Sequence, residues 1–233
     1  MRVLLISDIH SNLMALENVL NRASYDDILF LGDVVDYGPS PYDSWVVLRY
    51  AKAKRLLGNH DAAAAFGTDC RSSKPMHSAS IITRRLVTLT DMPDKALEAL
   101  GKADHKLELD FDGFRVRAMH GAPDDPLYKY VTKEEASRLD MHGADLLLLG
   151  HTHIAYEVKD GKTWIVNPGS VGMPVDGDPR ASYAVLDTET RTVKFDRVSY
   201  DVEEMLTTLR DLLKTEQPTY ELLAGIFRKG AMP

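Results

Sequence analysis

Asp8 and His10 stand two residues apart, and so do His151 and His153. Each pair follows a short apolar run, Val3-Leu4-Leu5-Ile6 for the first and Leu146-Leu147-Leu148-Leu149 for the second. Three more apolar runs end in polar residues: Gly32-Asp33 continuing to Asp36, Gly58-Asn59-His60-Asp61, and His120-Gly121. These ends offer carboxylate oxygens, imidazole nitrogens and one amide oxygen, with no thiolate. Such a donor set suits Mn, Fe or Zn rather than a soft-metal site. If the runs are strands, residues i and i+2 point the same way, so each pair is expected to converge on one point. The donors outnumber what one ion takes, which makes a pair of ions the natural reading. Two ions about 3.5–4 Å apart can hold a hydroxide and clamp the attacking and leaving oxygens of a phosphoryl centre. A lone His-Gly at a strand end is an ordinary turn. The five ends together, each behind its apolar run, are what carry the metal reading.

The elements that must position these residues follow from periodicity. Short apolar runs alternate with helical patterns, which predicts an α/β fold with its ligand site past the C-terminal ends of the strands. Strands are expected at 2–7, 27–32 and 54–57, with helices at 13–23, 41–51 and 94–101. Residues 61–92 read as helical with a Ser-rich interruption at 68–73. The second half is strand-rich. Hairpins are expected around Asp112-Gly113, Asp160-Gly161 and Glu189-Thr190, and a buried strand at 145–149. Thr132 and Glu135 form a capping box that predicts a helix to about Met141. Residues 202–213 read as a helix, and 215–233 as a tail with a weak helical turn or two. Glycines at 32, 58, 121 and 150 allow tight turns or close approach beside the polar residues.

The chain has 233 residues and a mass of 26.0 kDa, enough to bury a core without staples. One domain spanning 1–233 is expected, with 201–233 as a C-terminal helix and tail. A net charge of −7 and a pI near 5.6 argue against general affinity for DNA, which needs a surplus of Lys and Arg. They do not exclude a small phosphorylated substrate, because a bound metal reverses the local sign. The single cysteine, Cys70, excludes an internal disulfide framework and fits a reducing compartment. With no apolar run approaching a membrane span and none long enough for a secretory leader, the expected location is cytoplasmic.

The sequence resembles the calcineurin-like metallophosphoesterases, whose pattern is D-x-H, G-D-x-x-D, G-N-H-D/E, H and G-H-x-H. Here it stands as Asp8/His10, Gly32-Asp33/Asp36, Gly58-Asn59-His60-Asp61, His120 and Gly150-His151/His153. Length and the Gly-Asn-His-Asp variant make it most similar to the small bacterial and archaeal phosphodiesterase group. The resemblance implies a four-layer α/β/β/α sandwich, two mixed β-sheets flanked by helices. It implies that Asp8, His10, Asp33 and His153 hold one divalent or trivalent ion, and Asp33, Asn59, His120 and His151 the other, with Asp33 bridging. His60 would be no ligand; hydrogen-bonded to Asp36, it would stabilise or protonate the leaving oxygen. The nucleophile would be a metal-bridging hydroxide attacking a small phosphoester in line.

One departure narrows the substrate. The family's Ser/Thr protein phosphatases carry an Arg after the second Asp of G-D-x-x-D, where this chain has Tyr37. Without that bidentate cation a phosphomonoester dianion is poorly held, which favours diesters or nucleotide-type esters. Arg180 is the candidate replacement, with a surface turn as the plainer alternative. Asn59, His60, Ser170 and His77 are further candidates to touch substrate, and Tyr128 and Tyr130 could wall a nucleotide site or belong to the core. The rival functions are a protein phosphatase, disfavoured by Tyr37; a nuclease, which needs a basic track absent here; and a scaffold, as in the retromer subunit of this fold. The presence of His60 with Asp36 favours the enzyme.

Overall fold

The computed structural model describes residues 1–233. Its strands in chain order are β1 (Arg2–Ile6), β2 (Asp27–Phe30), β3 (Lys54–Arg55), β4 (Lys106–Phe111), β5 (Phe114–Met119), β6 (Leu146–Leu148), β7 (Ala155–Asp160), β8 (Thr163–Pro168), β9 (Ala181–Asp187) and β10 (Thr192–Val198). They form two five-stranded sheets, ordered β10-β9-β1-β2-β3 and β4-β5-β6-β8-β7. Both are mixed. β1 pairs parallel with β2 and antiparallel with β9, while β6 pairs parallel with β5 and β8.

Alternation along β1 shows how the sheets come together. Val3 and Leu5 face the second sheet and pack with Phe114, Val116, Leu146, Leu148 and Trp164. Leu4 and Ile6 face the other way and pack with Leu16, Val19, Trp45, Leu48 and Leu100. Those last residues come from α1 (Leu13–Arg22), α2 (Pro41–Tyr50) and α6 (Asp94–Leu100), which cover the first sheet. The outer face of the second sheet, with Leu147, Leu149 and Ile165, is covered by Ala136 of α7 (Lys133–Ala136) and by Val131. The layers are therefore α/β/β/α. A further apolar cluster joins α4 (Met76–Thr83), α8 (Val202–Leu212) and α9 (Gln217–Lys229) to Tyr37 and Met173. No helix is long and apolar enough to cross a membrane.

The hairpin turns fall where the Asp-Gly and Glu-Thr pairs predict them. Two expectations need correction, and a third is refined. The helix opened by Thr132 stops at Ala136, because Ala136 is its only buried residue and nothing anchors further turns to the sheet. Residues 217–229, expected as a tail, form α9: Tyr220, Leu223, Ala224 and Phe227 make a buried stripe, and Gly230 ends the helix in the left-handed region. The 61–92 stretch divides into α3 (Asn59–Phe66), α4, a π-helical turn at Arg84–Thr88 and the short α5 (Leu89–Asp91).

Candidate metal centre

The chemistry-bearing residues leave the ends of β1, β2, β3, β5 and β6, on one edge of the sandwich. Asp8, His10, Asp33, Asp36, His151 and His153 all have positive φ, between 46° and 68°. Left-handed backbone costs a side-chain-bearing residue about 1–2 kcal/mol, so here the surrounding structure must impose it. Crossed backbone bonds do so: Asp8 N donates to Gly32 O (2.9 Å), Ile9 N to Asp33 O (2.8 Å) and Gly172 N to Asp8 O (3.0 Å). Strand alternation is thus not what aims these side chains. Asp8 and His10 meet in one group, while His151 and His153 separate into two, although both pairs lie past their strand ends with left-handed backbone.

The first group is Asp8, His10 and His153; the second is Asp33, His120 and His151, with Asn59 beside it. In the first, His10 Nε2 lies 3.0 Å from His153 Nε2, and His153 Nε2 lies 3.4 Å from Asp8 Oδ1. In the second, His120 Nε2 lies 3.2 Å from Asp33 Oδ2, 2.9 Å from Asn59 Oδ1 and 3.2 Å from His151 Nδ1. Asp33 Oδ2 also lies 4.0 Å from His10 Nε2 of the first group, so this one oxygen faces both.

Backbone carbonyls, which only accept, assign the imidazole protons. His10 Nδ1–H donates to Val35 O, His120 Nδ1–H to Leu31 O, His153 Nδ1–H to Met173 O, and His151 Nε2–H to Tyr128 O. The opposite nitrogen of each neutral ring then carries a lone pair, and these second nitrogens point at one another and at carboxylates. Asp8 Oδ1 and Asp33 Oδ2 are buried without a hydrogen-bond partner. Acceptors that converge on acceptors in a buried place need a proton or a cation between them. In the first group burial and the neighbouring His153 hold His10 well below the usual imidazole range, while burial raises the Asp8 carboxyl. In the second, burial alone would lower His120, but the Asp33 carboxylate outweighs it and raises it to about 9. The residues fit hard-to-borderline cations, with each imidazole oriented by a backbone carbonyl behind it.

His60 stands beside the groups and opens α3. Its Nδ1 lies 2.8 Å from Asp36 Oδ2, and its Nε2 lies 3.0 Å from Ser72 Oγ and 3.5 Å from the Tyr37 hydroxyl. Burial would lower His60, but Asp33 and Asp36 outweigh it and raise it to about 9. Asp36 is itself gripped: the Arg84 guanidinium donates to Oδ2 and the Thr88 hydroxyl to Oδ1. Both come from the π-helical turn, an irregularity that recurs at functional sites. Asp61 takes a supporting part. Its carboxylate accepts the backbone N–H groups of Asp33 (2.8 Å), Val34 (2.8 Å) and Gly58 (3.2 Å), and so ties the second strand end to the third.

Three expected substrate contacts lie elsewhere. Arg180 is paired with Asp178 at 2.6 Å and lines a separate cavity with Glu157 and Phe195. Ser170 is fully buried; its hydroxyl donates to Asp8 O and accepts from Met173 N, so it braces the Asp8 backbone. His77 pairs with Asp69 at 2.9 Å, because the helix turns Met76 rather than its neighbour towards the site. Asn59 and His60 remain at the centre. Tyr130, left open between wall and core, lines the site with its ring stacked on His151 at 3.9 Å between centroids. Arg84 is the residue the sequence reading missed. A signal was there: Met76, Ala79, Ser80, Thr83, Arg84, Val87 and Thr88 are all buried, at helical spacing, and Arg84 shares that inward face while Arg85 does not.

A model of the calcineurin-like phosphoesterase superfamily domain matches residues 1–191. The chain is 29% identical over 221 residues to an uncharacterised protein of Methanocaldococcus jannaschii, covering 87% of this chain and 89% of that one. It is 25% identical over 209 residues to the phosphodiesterase YfcE of Escherichia coli, covering 83% of this chain and 91% of YfcE. The crystal structure of a metallophosphoesterase from Sphaerobacter thermophilus superposes with a TM-score of 0.79 at 30% identity, covering 99% of this chain and 100% of that one. A hypothetical protein of Pyrococcus horikoshii has the same fold, with a TM-score of 0.82 at 18% identity. Oriented imidazoles, unpartnered carboxylates and a family match over most of the chain agree, and the chain belongs to the calcineurin-like phosphoesterase superfamily of metal-dependent phosphoester hydrolases.

Proposed function

We propose that the protein hydrolyses a phosphodiester with two metal ions, one held by Asp8, His10, Asp33 and His153 and the other by Asp33, Asn59, His120 and His151. The observation that carries the reading is the position of Asp33 Oδ2, buried, unpartnered and facing both groups. When bound, two such ions supply Lewis acidity to the phosphoryl oxygens and a water that ionises near neutral pH. The chain's own residues do the rest. Oxygen from water attacks phosphorus, the ester P–O bond opposite it breaks, and the leaving oxygen takes a proton from His60. Asp36 accepts from His60 Nδ1 and so directs Nε2 towards the cavity. Arg84 and Thr88 hold Asp36 in that position.

The diester preference is supported by what lines the cavity. Tyr37 stands where an Arg would grip a phosphoryl group, Arg180 is engaged elsewhere, and no Lys or Arg is among the lining residues. A diester carries one negative charge and a monoester close to two, so the monoester is the less well compensated. Similarity to a protein named as a phosphodiesterase supports the same choice. The test is manganese-stimulated hydrolysis of bis-p-nitrophenyl phosphate against p-nitrophenyl phosphate, with the Asp33→Ala protein as blank. The expected result is a higher rate on the diester and background rates in the variant. A preference for the monoester overturns the diester assignment, and no rate on either, from protein carrying two ions per chain, overturns the catalytic reading.

A further inference from the structure

The cavity over the metal centre is lined by groups of two chemistries. One side is Asp33, His60, His151 and His153, already described. The other is apolar: Tyr130, Met76, Met173, Val175 and Met232. These five come from four separate places in the chain, the loop after β5, the start of α4, the loop after β8 and the C-terminal segment. Met232 is brought there by two contacts: Gly177 N donates to Gly230 O at 2.7 Å, and Ala231 bridges to Asp176. Tyr130 is 46% exposed and Met232 39%, so apolar surface stands open beside the most polar part of the molecule. The remaining lining groups are the neutral hydroxyls of Ser72, Ser73, Thr152 and Tyr37, Ser72 being bonded to His60.

Resting on the phosphodiester reading, we infer that this wall is a subsite for an apolar, preferably flat aromatic, ester group of the substrate. Charge and shape both point to that occupant. A polyphosphate chain or a second phosphate would enter a space with no cation to meet it, and its desolvation would go uncompensated. An aromatic ester group instead meets a tyrosine held by its stack on His151 and the open thioether of Met232, with Met76 and Met173 buried behind them. The subsite therefore selects the organic part of the diester, while the metal centre holds the phosphoryl group common to all.

The test is equilibrium binding of two symmetrical diesters to manganese-loaded protein by calorimetry, diphenyl phosphate against dimethyl phosphate. Their charge is equal, and their symmetry makes orientation irrelevant. The diphenyl ester is expected to bind at least about tenfold more tightly, the scale of one well-stacked ring. Tyr130→Ala combined with Met232→Ala should bring the ratio towards one, and Tyr130→Phe should keep it. A ratio near one in the native protein, a ratio unchanged in the double variant, or no binding of either diester overturns the inference. Failure of bis-p-nitrophenyl phosphate hydrolysis with the ratio intact would instead fault the phosphodiesterase reading and leave the subsite standing.

Discussion

A carbonyl oxygen can only accept, and at the scale of single residues that fact does most to define this site. It fixes the protonated nitrogen of four histidines and turns their other nitrogens, the ones a cation would take, towards buried carboxylates. The same reasoning ranks the residues around His60. Arg84 is 9% exposed and its charge is spent on Asp36, so it is unavailable to substrate and acts through the carboxylate that orients His60. Arg84→Met is expected to leave the metal content per chain unchanged while lowering kcat about tenfold to a hundredfold, the range for a misplaced catalytic group. Arg84→Lys should recover part of that loss. Metal analysis beside steady-state kinetics checks it, and loss of metal in Arg84→Met would assign Arg84 to the metal centre instead.

Elements position these residues through their ends more than their bodies. β1 and β2 lie parallel and in register, so Asp8 and Asp33 emerge side by side, and each strand end then turns through the left-handed region to redirect its side chains. The third strand end must come closer than a side chain permits. A Cβ on Gly58 would lie 2.0 Å from Asp33 Oδ1 and 2.4 Å from Asp33 N. Asp33 has little freedom to retreat, because Oδ1 accepts the His60 N–H at 2.8 Å and its own N–H is held by Asp61. Gly58→Ala is therefore expected to cost about 1–3 kcal/mol of stability by overpacking, and to lower metal content per chain. Thermal unfolding with elemental analysis measures both, and a variant with full metal content would show that the approach is dispensable.

At the scale of the whole molecule the site exists because two sheets are packed face to face. Asp8, His10, Asp33, Asn59 and His60 come from the edge of the first sheet, and His120, His151 and His153 from that of the second. Metal should therefore clamp the two sheets together. Binding at about a hundred times Kd adds about 2.7 kcal/mol, or roughly 5–10 °C in Tm for a chain of this size. The effect has a definite pH sign. His120 is raised to about 9, so its pairing with Asp33 stabilises the metal-free fold fully below the unfolded value near 6.5. That contribution is lost as pH rises through about 9. A cation replaces the proton between them, so the rise in Tm on adding manganese should be larger at about pH 8 than at about pH 6. Differential scanning fluorimetry at the two values decides it, and a shift that shrinks with pH would refute the exchange of proton for metal.

Much of this was written in the sequence, because apolar runs must be buried and their polar ends must then emerge together. The runs ending at Asp8, Asp33, Asn59, His120 and His151 announced both an α/β fold and a metal centre, and the Asp-Gly pairs placed two of the hairpins. Other features depend on which side chains meet across the chain, which spacing alone does not encode. Arg180 and His77 had suitable chemistry, but each met a nearer aspartate, Asp178 and Asp69. The separation of His151 from His153 is one that their spacing does not encode, and the grip of Arg84 on Asp36 depended on an irregular helical turn 48 residues further along. The apolar wall shows the division most fully: Tyr130, Met173 and Met232 look like core residues when read one at a time. Only the packing of α9 and its last residues against the loop at Asp176–Asp178 brings Met232, open, to the cavity beside Tyr130 while Met173 stays buried in its lining, because burial is decided by the whole surface and not by any one segment.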